Sequence, residues 1–299
     1  MMLRAFRIYL LLLCLGCGIL HAQDTRIPFH LSSDNNLMFQ AVLNGTDTVN
    51  LMLHTATSDL SLTETAVARL KTLHFNRTDE HIKSWGGSEN STRYSAPNRV
   101  QIGTLQWDSI AVWEDRQSGQ GTDGKFGLDL FRGKTVELDF DQQVLVVRDT
   151  LPAACATYDK LALRQQGDML FVEAALSDGS HSWKNEFLLH SGYAGALLLD
   201  DAFVAVSGID AQLKVLSEQK LTDAYGHVLK VKKATLPSLQ LGRYTLAQVP
   251  AGFFEGAIGR QKMSILGGDV WKRFHVFIDA ARAFIYLKPG GLMDLPCKS

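Results

Sequence analysis

The chain has 299 residues, with 30 Lys and Arg against 31 Asp and Glu, 46% hydrophobic residues and 20% charged ones. That apolar content at low charge density excludes a disordered chain. A formal net charge of −1 excludes a general nucleic-acid binder, which carries a basic surplus.

In chain order, the first element is a leader. Arg4 and Arg7 precede an apolar run from Ile8 to Leu20, and a small residue, Ala22, sits where the sequence turns polar. Residues 1–22 therefore read as a secretory signal peptide, which predicts export to the periplasm or beyond. Its apolar run is too short to span a bilayer comfortably. A lipid anchor on Cys17 is the competing reading, with Cys14 three residues earlier unfavourable to it. No later segment approaches the length of a membrane span. Cys155 and Cys297 lie beyond the leader, and an exported protein can oxidise such a pair or leave both free. No Cys-x-x-Cys spacing occurs, so no zinc ribbon or thioredoxin-type site is indicated.

Beyond the leader the chain repeats itself. The alternating run Leu37–Gly45 has a counterpart at Met169–Gly179. The block Leu51-Met52-Leu53-His54-Thr55-Ala56 is echoed by Phe187-Leu188-Leu189-His190-Ser191-Gly192, and the histidines are 136 positions apart. Val100-Gln101-Ile102-Gly103 matches Leu239-Gln240-Leu241-Gly242. Phe126-Gly127-Leu128-Asp129 matches Leu266-Gly267-Gly268-Asp269, each followed by an apolar strand ending in Asp139 or Asp279. Both halves read as short strands between Gly, Asn and Asp turns. A helix is predicted over Thr63–Leu73, capped by Thr63 with Glu64 in its first turn. Short helices are predicted at Gly127–Phe131 and Gly267–Trp271. The domain reading is residues 23–150 as an N-terminal lobe, 151–160 as a linker, 161–290 as a C-terminal lobe and 291–299 as a tail.

An apolar strand, an Asp-Thr/Ser-Gly-like loop and a later Ile-Leu-Gly-x-Asp block, once per half, resemble the aspartic protease superfamily of pepsins and retropepsins. The block Ser264-Ile265-Leu266-Gly267-Gly268-Asp269-Val270-Trp271 carries the resemblance most strongly. The resemblance covers nearly all of the sequence after the leader. It implies a mainly β, bilobal fold of two similar barrel lobes with a few short helices and a cleft between them.

At the positions of the family's catalytic aspartates stand His54 and His190. The family's chemistry needs two carboxylates sharing one proton around a water, which two imidazoles do not supply. Ala56 also stands where the family has glycine, which predicts a looser first loop. Thr55 and Ser191 retain hydroxyls resembling the family's support between lobes. The first reading is an inactive pseudoprotease, without cofactor, that binds an extended peptide or a protein in the cleft. The alternatives are a zinc or copper site on His54 and His190, with His227 as a third ligand, or a hydrolase that uses histidine as base or keeps residual aspartyl-type peptidase activity. By the same resemblance, hairpins over the cleft are placed at Trp85-Gly86 and Tyr225-Gly226, covering a bound peptide. The recurring Asp129, Asp139, Asp269 and Asp279 are expected to be caps or turn partners.

Overall fold

The computed structural model describes residues 24–82, 90–222, 228–254 and 261–297. The signal-peptide reading, the Cys17 anchor and the residues Trp85, Gly86, Tyr225, Gly226 and His227 lie outside the described residues. The fold is mainly β, as the repeated alternating blocks predict. The period-2 pattern sends Leu37, Phe39, Ala41 and Leu43 inward, all at most 1% exposed.

Each half closes in the same way. The strand Asp47–Leu53 pairs in parallel with Gly124–Phe126, which pairs on its other side with Leu60–Thr63. In the second half Ser182–His190 pairs in parallel with Ser264–Gly267, which pairs with Leu197–Leu198. The loop between the outer strands of each trio therefore crosses the end of the middle strand. His54 lies in the first crossing loop and His190 at the end of its strand, leading into the second.

The halves are joined by a sheet to which both contribute. Thr135–Asp139 of the first half pairs with Phe274–Ile278 of the second. Thr25–Pro28 and Val144–Arg148 extend this sheet on one side. Phe284–Pro289 and Asp159–Gln166 extend it on the other. Asp159–Gln166 begins within the segment read as linker, where Ala153–Thr157 forms a turn of 3-10 helix. A further tie runs from Asn35, whose Nδ2 donates to the Ala194 carbonyl at 2.7 Å while its Oδ1 accepts from Lys272 Nζ at 3.0 Å.

The helix predicted over Thr63–Leu73 is only Glu64–Val67, with Thr63 accepting from the Ala66 N–H as cap. Its continuation is lost to Asp47. One oxygen of that carboxylate accepts the N–H of Lys71 at 3.0 Å, the N–H of Thr72 at 2.8 Å and the Thr72 hydroxyl at 2.6 Å. Burial raises the Asp47 pKa, but the Thr72 and Lys71 hydrogen bonds outweigh it and the net shift is downward. The short helices after Gly127 and Gly267 form as Leu128–Phe131 and Gly268–Trp271. Cys155 and Cys297 are both free thiols. Arg273 holds the tail, donating to the carbonyls of Met293 at 3.0 Å and of Leu295, and approaching the Cys297 sulfur at 3.1 Å.

Candidate functional site

The repeat brings its two loops together. Thr55 Oγ1 donates to the Leu189 carbonyl at 2.6 Å and accepts the Ser191 N–H at 3.0 Å. Ser191 Oγ donates to the Leu53 carbonyl at 2.6 Å and accepts the Thr55 N–H at 3.1 Å. Both residues are fully buried. This reciprocal set satisfies four backbone groups across the lobe boundary. It is made entirely by hydroxyls and backbone, so it holds whatever residue precedes it.

That residue is histidine in both loops, and the two rings face each other with centroids 4.4 Å apart and planes inclined at 63°. Neither ring Nδ1 has a hydrogen-bond partner, and both are sealed from solvent. Burial holds His54 well below the usual 6.5, helped by the Lys125 cation and by the repulsion that protonating both His54 and His190 would create. Burial, with Lys125 adding to it, lowers His190 to about 4. Both are therefore neutral at pH 7, each carrying one proton, with no negative charge between them.

The loops close alike despite the Ala56 substitution. The Thr57 N–H donates to the His54 carbonyl at 3.2 Å, and the Tyr193 N–H to the His190 carbonyl at 3.1 Å. Ala56 needs no left-handed backbone, so the looser loop expected from its missing glycine is not found. Gly192 is the glycine the site requires. A Cβ there would run into the His54 ring, 2.8 Å from its Nε2 and closer still to its Cδ2.

The recurring aspartates are structural, as expected. Asp139 accepts the Gln142 N–H at 2.9 Å, and Asp279 accepts those of Ala283 and Phe284. Asp129 accepts the Asp59 N–H at 3.3 Å, and Asp269 pairs with Lys272 at 2.6 Å.

Three residues escape motif reading: Lys125, whose charge acts on both histidines, and Asp115 and Ser61, which are grouped with it. Lys125 Nζ lies 2.7 Å from Asp115 Oδ2, and Ser61 Oγ donates to the same oxygen at 2.6 Å. The repeat itself carries a signal for them, since Lys125 in Gly124-Lys125-Phe126-Gly127 stands where Ile265 stands in Ser264-Ile265-Leu266-Gly267.

His54 and His190 join no third metal-ligating side chain among the described residues. Glu137, Asp139 and His275 do converge, with one potential ligand atom each within 4.8 Å of the others. Their donors are already engaged. Glu137 accepts from Arg148 Nε at 2.7 Å and lies 2.8 Å from His275 Nε2, while the Tyr158 hydroxyl meets His275 Nδ1 at 3.1 Å. This group is an ion-paired tie across the shared sheet.

A scan against protein-family models finds no match, and a search of curated proteins finds none. Among solved structures, the chain is similar to the crystal structure of an aspartic proteinase from Irpex lacteus. The TM-score is 0.60 at 12% sequence identity, over 92% of this chain and all of that one.

Proposed function

The chain has the pepsin-like, two-barrel fold of that proteinase, and we propose that it is an exported, catalytically inactive relative which holds an extended peptide or protein segment in its cleft. The observation that supports this is the pair of neutral imidazoles where such a fold would present its carboxylates. Aspartic-type hydrolysis needs one carboxylate to take a proton from water and a second to deliver one to the peptide carbonyl. Neutral rings beside the cation of Lys125 offer no anion for the first step. Binding needs none of this chemistry: an extended segment is held by main-chain hydrogen bonds and by pockets for alternate side chains. The test uses the chain from residue 23, incubated with casein between pH 5 and 7 and assayed in parallel for capture of fluorescent extended peptides. Peptide capture without cleavage is expected. Cleavage blocked by pepstatin refutes the reading.

A second reading is favoured by one observation, the two sealed Nδ1 atoms without partners. A metal ligand must be a neutral imidazole, and these rings are neutral at pH 7. A zinc or copper ion on His54 and His190 is the form this takes. Elemental analysis of untagged protein decides it: metal present in the parent and lost in both His54→Ala and His190→Ala supports this reading, and a parent without stoichiometric metal refutes it.

A further inference from the structure

The two walls of the cleft are built from opposite chemistries. Side chains alternate along a strand and cross-strand partners point the same way, so residues two before each histidine begin a row on the cleft side. In the first lobe Met52 pairs with Lys125, Lys125 with Ser61, Ser61 with Trp113 and Trp113 with Tyr94. In the second lobe Leu188 pairs with Ile265, Ile265 with Leu198, Leu198 with Gly252 and Gly252 with Lys233. Met52, Leu188 and Leu198 all stand outside the main core cluster, while their strand neighbours Leu51, Leu53, Phe187, Leu189, Leu197 and Leu199 belong to it.

The matched positions differ in kind. Lys125 corresponds to Ile265 and Ser61 to Leu198. Asp115, two residues past Trp113, corresponds to Phe254, two past Gly252. The second wall is formed by the half-buried Ile265, Leu221 and Tyr193, packed on a small separate cluster of the buried Leu198, Val231 and Phe254. The first wall carries an ion pair with side chains only 15% and 10% exposed. It continues into an aromatic stack, Tyr94 on Trp113 at 4.8 Å, with the Arg77 guanidinium 4.4 Å over Tyr94.

We infer that the cleft selects a segment with an amide side chain, Asn or Gln, against the first lobe and a bulky apolar side chain against the second; this rests on the peptide-binding reading above. The ion pair is neutral overall but offers a donor, Lys125, and an acceptor, Asp115, side by side. An amide supplies the complementary carbonyl and N–H. A Leu in its place leaves buried charged groups without ligand partners, and a Glu or Lys adds an unbalanced charge to a largely desolvated site. Apart from the Tyr193 hydroxyl, the second wall presents carbon, and its half-buried Ile265 and Leu221 reward apolar area. Lys233 lies at the far end of that row, with its ammonium 3.4 Å from the Tyr193 hydroxyl.

The test is a positional-scanning library of acetylated, amidated fluorescent hexapeptides, read by anisotropy at pH 7. One position is expected to favour Asn or Gln over Leu, Glu and Lys by about 10- to 100-fold, the scale of added hydrogen bonds to charged groups. Another position is expected to favour Leu, Phe or Met. Asp115→Asn leaves the Lys125 cation unbalanced and should move the first preference towards Glu. Lys125→Ile with Asp115→Leu, which removes both charges together, should move it towards Leu and serves where the single variant does not fold. Peptides that bind with no such preference, or with a preference unmoved in folded variants, overturn the inference and leave the peptide-binding reading standing. A library in which nothing binds overturns that reading and the inference with it.

Discussion

Acid should loosen this molecule through its own central residues. A ring kept neutral by the fold protonates more readily once unfolded, so between the two pKa values the unfolded state binds more protons and stability falls as pH falls. For His190 the window opens near the ordinary 6.5 and closes near its folded value of about 4. Each pH unit inside the window costs about 1.4 kcal/mol, hence about 2 kcal/mol at pH 5 from His190 alone. His54 is held well below 6.5 as well, so it acts in the same direction and the pair loses more than His190 alone. The assay is urea unfolding from pH 7.5 to 4.5, comparing the parent with His54→Asn/His190→Asn. All other titrating groups are common to both proteins, so the difference isolates the pair. The variant should lose at least about 2 kcal/mol less than the parent between pH 7.5 and pH 5. Parallel stability curves, with unchanged denaturant slopes, would mean that the rings are not held neutral.

The hydroxyl grip should be costly to open: Thr55→Val keeps the shape but strands the Leu189 carbonyl and the Ser191 N–H, a loss of about 2–5 kcal/mol in urea unfolding, and a loss under about 1 kcal/mol contradicts it. Gly192→Ala forces a methyl group against the His54 ring, which should destabilise by about 1–3 kcal/mol and displace the His54 imidazole resonances; unmoved resonances would show that the ring does not rest on Gly192. Asp47→Ala frees the N–H groups of Lys71 and Thr72, so their hydrogen exchange should accelerate with a loss of about 1–2 kcal/mol, and unchanged exchange at Thr72 would refute its role in ending the Glu64–Val67 helix.

The repeat made the fold legible because each matched block contains strand residues, whose inward faces alternate in the longer strands, and because the Gly-x-Asp closures recur at nearly constant spacing. Both histidines, Thr55 and Ser191 were legible for the same reason. The short helix was not, because the cap at Thr63 is local while the group that ends the helix, Asp47, is 24 residues from Lys71 in sequence. Lys125, Asp115 and Ser61 were missed because each is unremarkable alone. They meet only because Leu60–Thr63 pairs with both neighbouring strands, a registration that no single stretch of sequence encodes. The laxity expected from Ala56 failed because the turn there closes through backbone groups that alanine also possesses.

The way the site is held explains how such a floor can exist without carboxylates. Every hydrogen bond joining the two loops runs through Thr55, Ser191 and main-chain atoms, and none runs through the side chain before them. A carboxylate pair in this position would have to share a proton, since two like charges this close oppose each other's ionisation. Two neutral rings face no such repulsion at pH 7, and meet it only on acidification. The hydrogen bonds that join the loops at neutral pH are thus nearly independent of the side chains at 54 and 190. His54→Asp/His190→Asp should accordingly fold with its loops closed as in the parent, and on the reading proposed above it alone, not the parent, is a candidate to cleave casein in acid. A doubly substituted chain that folds but stays inert would place the deficit elsewhere on the cleft wall, with the Lys125–Asp115 pair the first feature to exchange.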